Sequence, residues 1–137
     1  MSVDIIEGGR VVTGDDVLDD AWVAVEDGKI RAIGRGKPPP SVTDLAGNWL
    51  VPGFIDLHVH GGGGYNAADS PTALAGAVAF HRRHGTSRTL VSFASAPPDA
   101  LVEQLGWVAD MASTGPAAGG QVIGAHLEGP FLSFARR

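Results

Sequence analysis

His58 and His60 are separated by one residue in the run Asp56-Leu57-His58-Val59-His60. On a β-strand, residues two apart leave the same face, with Cα atoms about 6.5–7 Å apart. Two imidazoles so placed can converge on one divalent ion above that face. The same spacing is met equally well by two strand-end histidines that face solvent and bind nothing. Asp56, two residues earlier, shares the face of a regular strand. It would hydrogen-bond a ligand or fill the floor beneath the site, and a structural role is the preferred reading.

Glu128 is an independent candidate. It lies in the run Gly124-Ala125-His126-Leu127-Glu128-Gly129-Pro130, just past a stretch that reads as a strand. A carboxylate at such a place is costly to bury unless it is paired or metal-bound. The plain alternative is an exposed loop glutamate. His126, two residues earlier, is read as a packing or supporting residue rather than a ligand. The chain has no cysteine, so thiolate sites and disulfides are excluded, and a metal here must be held by His and carboxylate.

The elements that would position these residues fall into two parts. Residues 1–51 read as short strands forming a small antiparallel sheet. Ile5–Ile6 and Arg10–Thr13 flank Gly8-Gly9 as a hairpin, and Ala21–Glu26 and Lys29–Ile33 flank the tight-turn pair Asp27-Gly28. Gly34–Pro40 is a connection whose prolines cannot join a central strand. Val42–Leu45 and Asn48–Val51 surround Ala46-Gly47.

The pattern changes at Pro52-Gly53. Phe54–His60 is mostly apolar, as expected of a strand buried on both faces. Ser70-Pro71 opens a helix to His84, with Leu74, Ala77, Val78 and His81 on one face, and Gly85 ends it. Thr86–Phe93 is a strand. Pro97-Pro98-Asp99 opens a second helix to Ser113 with Leu101, Leu105 and Val108 in one stripe. A Gly/Pro/Ala loop over 114–120 leads to a third strand, Gln121–His126. The order β-α-β-α-β implies parallel strands joined by right-handed crossovers. It also places His58, His60 and Glu128 at C-terminal strand ends, where parallel α/β folds build active sites.

The bulk properties narrow the function classes. A length of 137 residues suffices for an ordinary core, and a formal net charge of -5 argues against a general nucleic-acid binder. The chain start lacks a basic and apolar leader, and no apolar run approaches the ~20 residues of a membrane span. A cytoplasmic location with no membrane partner is the expectation. His81-Arg82-Arg83-His84 is read as cations favouring a helix C-terminus rather than as a phosphate site. Gly61–Gly64 is a turn or a place where backbone N–H groups approach a ligand. Trp22, Trp49 and Trp107 are read as core or interface residues.

Two segments carry a family resemblance. Pro52-Gly53-Phe54-Ile55-Asp56-Leu57-His58-Val59-His60-Gly61 resembles the first barrel strand of the amidohydrolase superfamily. Gly124-Ala125-His126-Leu127-Glu128-Gly129-Pro130-Phe131-Leu132 is similar to the third-strand signature of the N-acetylglucosamine-6-phosphate deacetylases. The strand pair around Asp27-Gly28-Lys29-Ile30 and Ala32-Ile33-Gly34 resembles the small sheet preceding the barrel in that family. The resemblance implies an α/β protein: residues 1–52 as the N-terminal part of a small urease-like β-sandwich domain, and residues 53–137 as the first three strands and two helices of a metal-dependent (β/α)8 TIM barrel, truncated.

It further implies hydrolysis of N-acetylglucosamine 6-phosphate to glucosamine 6-phosphate and acetate in a full-length homodimer. His58, His60 and Glu128 would hold one or two divalent ions, zinc or iron. Two more histidines and the catalytic aspartate would come from later strands. Asp69, Asp99 and Asp110 do not match that aspartate's motif, so no catalytic residue is assigned within the chain. Phe131–Arg137 resembles a loop over the active site, in which Arg136 or Arg137 would face an anion or solvent. A barrel closes with eight strands, so the chain is expected to be a fragment. The alternatives are another amidohydrolase, such as a cyclic amidase or deaminase, and a non-catalytic truncated chain.

Overall fold

The computed structural model describes residues 3–40, 42–114 and 121–136. The chain divides into two compact units, Met1–Pro52 and Gly53–Arg137.

The first unit is one five-stranded sheet. Strands β1 (Val3–Val12), β2 (Val17–Glu26) and β3 (Lys29–Arg35) form an antiparallel meander, and β4 (Val42–Asp44) and β5 (Trp49–Leu50) both pair with β1 in parallel. The sheet is therefore mixed, not antiparallel throughout. The hairpin expected at Gly8-Gly9 is absent, because β1 runs straight through both glycines and its register shifts on either side of Gly9. These glycines bulge the strand instead of turning it. Gly8 takes φ +78°, and a Cβ on Gly9 would collide with the Asn48 carbonyl. The chain reverses at Thr13–Asp16, where the Asp16 N–H donates to Thr13 Oγ1 at 3.0 Å and the Thr13 N–H donates to the Asp16 carbonyl at 2.8 Å. Asp27 and Gly28, with φ of 52° and 70°, supply the twist that a two-residue hairpin between β2 and β3 requires. Val11, Ala21 and Val23 are buried together, with Leu18, Val25 and Leu50 packed on them.

The second unit holds three parallel strands, β6 (Phe54–Val59), β9 (Thr86–Phe93) and β10 (Val122–Leu127), in the order β10-β9-β6. Between β6 and β9 lie a short ribbon of β7 (Gly61–Gly62) and β8 (Tyr65–Asn66) and the helix α1 (Pro71–Arg83). Helix α2 (Pro98–Ser113) connects β9 to β10. Ser70 caps α1 by accepting the Ala73 N–H at 3.1 Å, Pro71 sits in its first turn, and Gly85 at φ +95° follows its end. Leu74 and Val78 of α1 and Leu101 and Val108 of α2 pack with Val91, Phe93 and Val122 into one core. Each fully buried side chain of this size contributes about 1.5–3 kcal/mol.

Strand β6 is not buried on both faces as its apolar composition predicts. Phe54, Ile55 and Leu57 are all more than half exposed, because β6 is an edge strand paired only with β9 among the described residues. Ile123 and Leu127 on the opposite edge strand are exposed for the same reason. Beyond Thr114, the expected 114–120 loop lies outside the described residues. No described helix is long and apolar enough to cross a membrane.

Candidate metal centre

The three residues singled out by type and spacing meet at one point. His58 lies near the end of β6, His60 one residue past it, and Glu128 one residue past β10. His58 Nε2 and His60 Nε2 are 3.2 Å apart, and Glu128 Oε1 lies 2.9 Å from His60 Nε2 and also contacts His58 Nε2. All three donor atoms fall within 4.8 Å of one another, the one such group among the described residues.

Local backbone features aim these side chains. Asp56 stands opposite Thr89 and Val59 opposite Val91, so three steps along β6 match two along β9. This bulge takes the His58 N–H out of the ladder, and Asp56 Oδ1 accepts it at 3.0 Å. Asp56 thus has a structural role, holding the backbone of His58. The Glu128 N–H donates to the Phe93 carbonyl at 3.0 Å, extending the β10–β9 ladder one residue and pinning Glu128. The carbonyl of His60 accepts the Ala67 N–H at 2.8 Å, and His81 Nε2 lies 2.8 Å from the Gly61 carbonyl. His81, on the α1 face expected for it, therefore ties the helix to the segment that follows His60.

The carboxyl of Glu128 is held below the usual carboxylate range. The hydrogen bond from His60 is the largest cause, partial desolvation opposes it, and the charges of the two histidines with the His58 hydrogen bond add to it. Two imidazole nitrogens and one carboxylate oxygen directed at a common point, linked by protons in the metal-free chain, become three lone-pair donors once those protons leave. A divalent cation satisfies all three, and the mixed nitrogen and oxygen set suits zinc or iron. The residues present therefore fit a metal ion.

His126 stands outside the ligand group. Its Nδ1 lies 3.1 Å from Ser92 Oγ, and its ring centroid is 4.8 Å from that of His58. The role of Ser92 had no signal in the sequence, because only the pairing of Ser92 opposite His126 on adjacent strands brings them together. Asp69 accepts from Asn66 Nδ2 at 2.9 Å, within the turn before α1. Gly61–Gly64 form the β7–β8 ribbon with Gly63 and Gly64 at φ +62° and +87°. The side chain of Arg136 and all of Arg137 lie outside the described residues. Trp22 is partly buried across from Gly34 with its Nε1 unpaired, Trp107 packs on the second core, and Trp49 is half-exposed under Arg10.

Comparison with known proteins points the same way. The chain is 34% identical over 131 residues, 94% of its length, to an N-acetylgalactosamine-6-phosphate deacetylase of Escherichia coli O157:H7. It is 31% identical over 138 residues to an N-acetylglucosamine-6-phosphate deacetylase of Bacillus subtilis. A structure of a variant N-acetyl-D-glucosamine-6-phosphate deacetylase from Mycobacterium smegmatis, in complex with N-acetyl-D-glucosamine-6-phosphate, superimposes over 97% of the chain with a TM-score of 0.86 and 35% identity. The chain is similar to these deacetylases in sequence and, where a structure is solved, in fold. It spans about a third of their length: 34% of each of the two curated relatives and 34% of the solved chain. No protein-family model matches it. The described part of the chain has a mixed α/β fold, in agreement with that likeness.

Proposed function

We propose that the chain supplies His58, His60 and Glu128 as metal ligands to an enzyme that deacetylates N-acetylglucosamine 6-phosphate. The observation that carries this reading is the convergence of three ligand atoms from two strand ends, within a chain similar to such deacetylases over nearly all its length. In this reading residues 53–137 are the first β/α units of a (β/α)8 barrel. Residues 1–52 are the N-terminal part of a small urease-like β-sandwich domain, and the full-length protein is a cytoplasmic homodimer.

The reaction breaks the amide C–N bond: a water oxygen bonds to the acetyl carbon, the nitrogen takes a proton, and acetate and glucosamine 6-phosphate leave. A divalent ion, zinc or iron, supplies Lewis acidity that polarises the amide carbonyl and lowers the pKa of water. His58 and His60 would hold it through unprotonated ring nitrogens, and Glu128 would contribute the negative charge that keeps it there. The proton carried to the leaving amine needs a positioned carboxylate. By resemblance this is an aspartate from outside this chain.

The test is acetate release from N-acetylglucosamine 6-phosphate by protein containing this chain, loaded with zinc or with iron. Acetate and free amine should appear in equal amounts, and no release with any divalent ion refutes the reading. The E. coli relative is named for the galactosamine epimer, so N-acetylgalactosamine 6-phosphate belongs in the same assay, and a preference for it would change the sugar but not the chemistry.

A further inference from the structure

We propose that Ser92 and His126 are positioning residues that set the orientation of the His58 ring. This inference rests on the metal-ligand reading above. Among the described residues, the polar contacts of the His58 ring run through Nε2, toward His60 and Glu128. A ligating imidazole is ordinarily oriented by a hydrogen bond from its other nitrogen. For His58 the neighbouring support is instead another ring: His126 lies 4.8 Å away, centroid to centroid, with the planes tilted by 55°.

His126 is itself held. Ser92 on the central strand β9 is only 1% exposed, and its Oγ is 3.1 Å from His126 Nδ1. If Nδ1 carried a proton and donated it, the buried hydroxyl hydrogen of Ser92 would be left without an acceptor, at a cost of about 1–3 kcal/mol. Among the described residues the Ser92 hydroxyl has no other hydrogen-bond partner, so we assign it as the donor to Nδ1, which leaves the ring proton of His126 on Nε2. The strands pair Ser92 directly opposite His126, and β9 also pairs with β6, which carries His58. The support thus spans all three strands: Ser92 holds His126, and His126 holds the ring of His58.

Three variants of full-length protein containing this chain test this, with zinc affinity measured by chelator competition and the visible spectrum of the cobalt-substituted protein as readouts. His126→Ala should weaken zinc binding by roughly 10–100-fold, the range for residues that orient metal ligands, and shift the cobalt bands. Ser92→Ala, nearly the same size, should do the same to a smaller degree. His126→Phe keeps a ring against His58 and should recover most of the affinity. Nitrogen NMR of the metal-free chain should show His126 protonated on Nε2, and Ser92→Ala should mix its tautomers. Unchanged affinity and spectrum in both His126→Ala and Ser92→Ala overturn the inference alone. So does a loss in His126→Phe equal to that in His126→Ala. No zinc uptake by unaltered full-length protein containing this chain overturns the metal-ligand reading and this inference with it.

Discussion

The two units of the chain reach order by different routes. In Met1–Pro52 the first three strands are joined by turns a few residues long, and each pairs with its neighbour in sequence. Their geometry is local, dictated by Asp27-Gly28 and by the hydrogen bonds within Thr13–Asp16. In Gly53–Arg137 the three strands of the main sheet, β6, β9 and β10, are parallel, so each of their pairings needs a helical crossover. There Glu128 meets His60 across 68 residues of sequence. Local pairing tolerates irregularities such as the bulge at Gly8-Gly9. A site built from distant strand ends depends on every crossover between them.

The largest expected effect tests that dependence directly. Glu128→Gln keeps the shape of the side chain and removes its charge. Zinc affinity should fall by more than the ~10–100-fold typical of changes outside the ligand shell, while the amide-exchange protection of Met1–Pro52 stays the same. Metal analysis after dialysis, alongside hydrogen exchange, checks both halves. Zinc retained at full strength would remove Glu128 from the ligand set.

The next effect concerns the crossover. Leu74 of α1 is fully buried in the second core. Leu74→Ala should cost about 2–5 kcal/mol, read by denaturant unfolding, and should lower exchange protection in β9 and α1 but not in β1–β3. Equal loss in both units would show that they unfold together and would break the comparison. A smaller effect follows from the cap: Ser70→Ala loses the bond to the Ala73 N–H and should cost about 1 kcal/mol, with Ser70→Asp recovering most of it.

The smallest effect is electrostatic. The carboxyl of Glu128 is depressed chiefly by its hydrogen bond from His60. A depressed carboxylate contributes stability that is present in full above its ordinary range and is lost as pH falls through the lowered value. In the metal-free chain, carbon NMR of Glu128 should show titration below the other glutamates. His60→Ala should move it back up, and no movement would mean that the histidine is not the cause.

Much of the second unit was legible from local signals. Ser70-Pro71, Gly85 and the Thr/Val/Leu run of β9 are decided within a few residues, so α1 and β9 fall where spacing places them. Types and spacing marked His58, His60 and Glu128 as candidates with solvent-facing alternatives left open, and the family resemblance joined them into one expected ligand set. Other features were not legible. Gly8-Gly9 carries the same turn signal whether it reverses a chain or bulges a strand, and only the approach of Asn48 distinguishes the two. The apolar run of β6 predicts burial on both faces, yet whether a strand is central or at an edge depends on its neighbours, not on its composition.

The sequence by itself determined the residue types at the site, the turn at Asp27-Gly28 and the order β6-α1-β9-α2-β10 of the main elements in the second unit. Each of these follows from interactions among residues close along the chain. Only the tertiary structure decided that β4 and β5 join β1 in parallel, that Asp56 turns inward to hold the His58 backbone at a bulge, and that Ser92 stands beneath His126. Those outcomes depend on strand register. Register is set by the packing of faces between elements far apart in sequence, which no local pattern records.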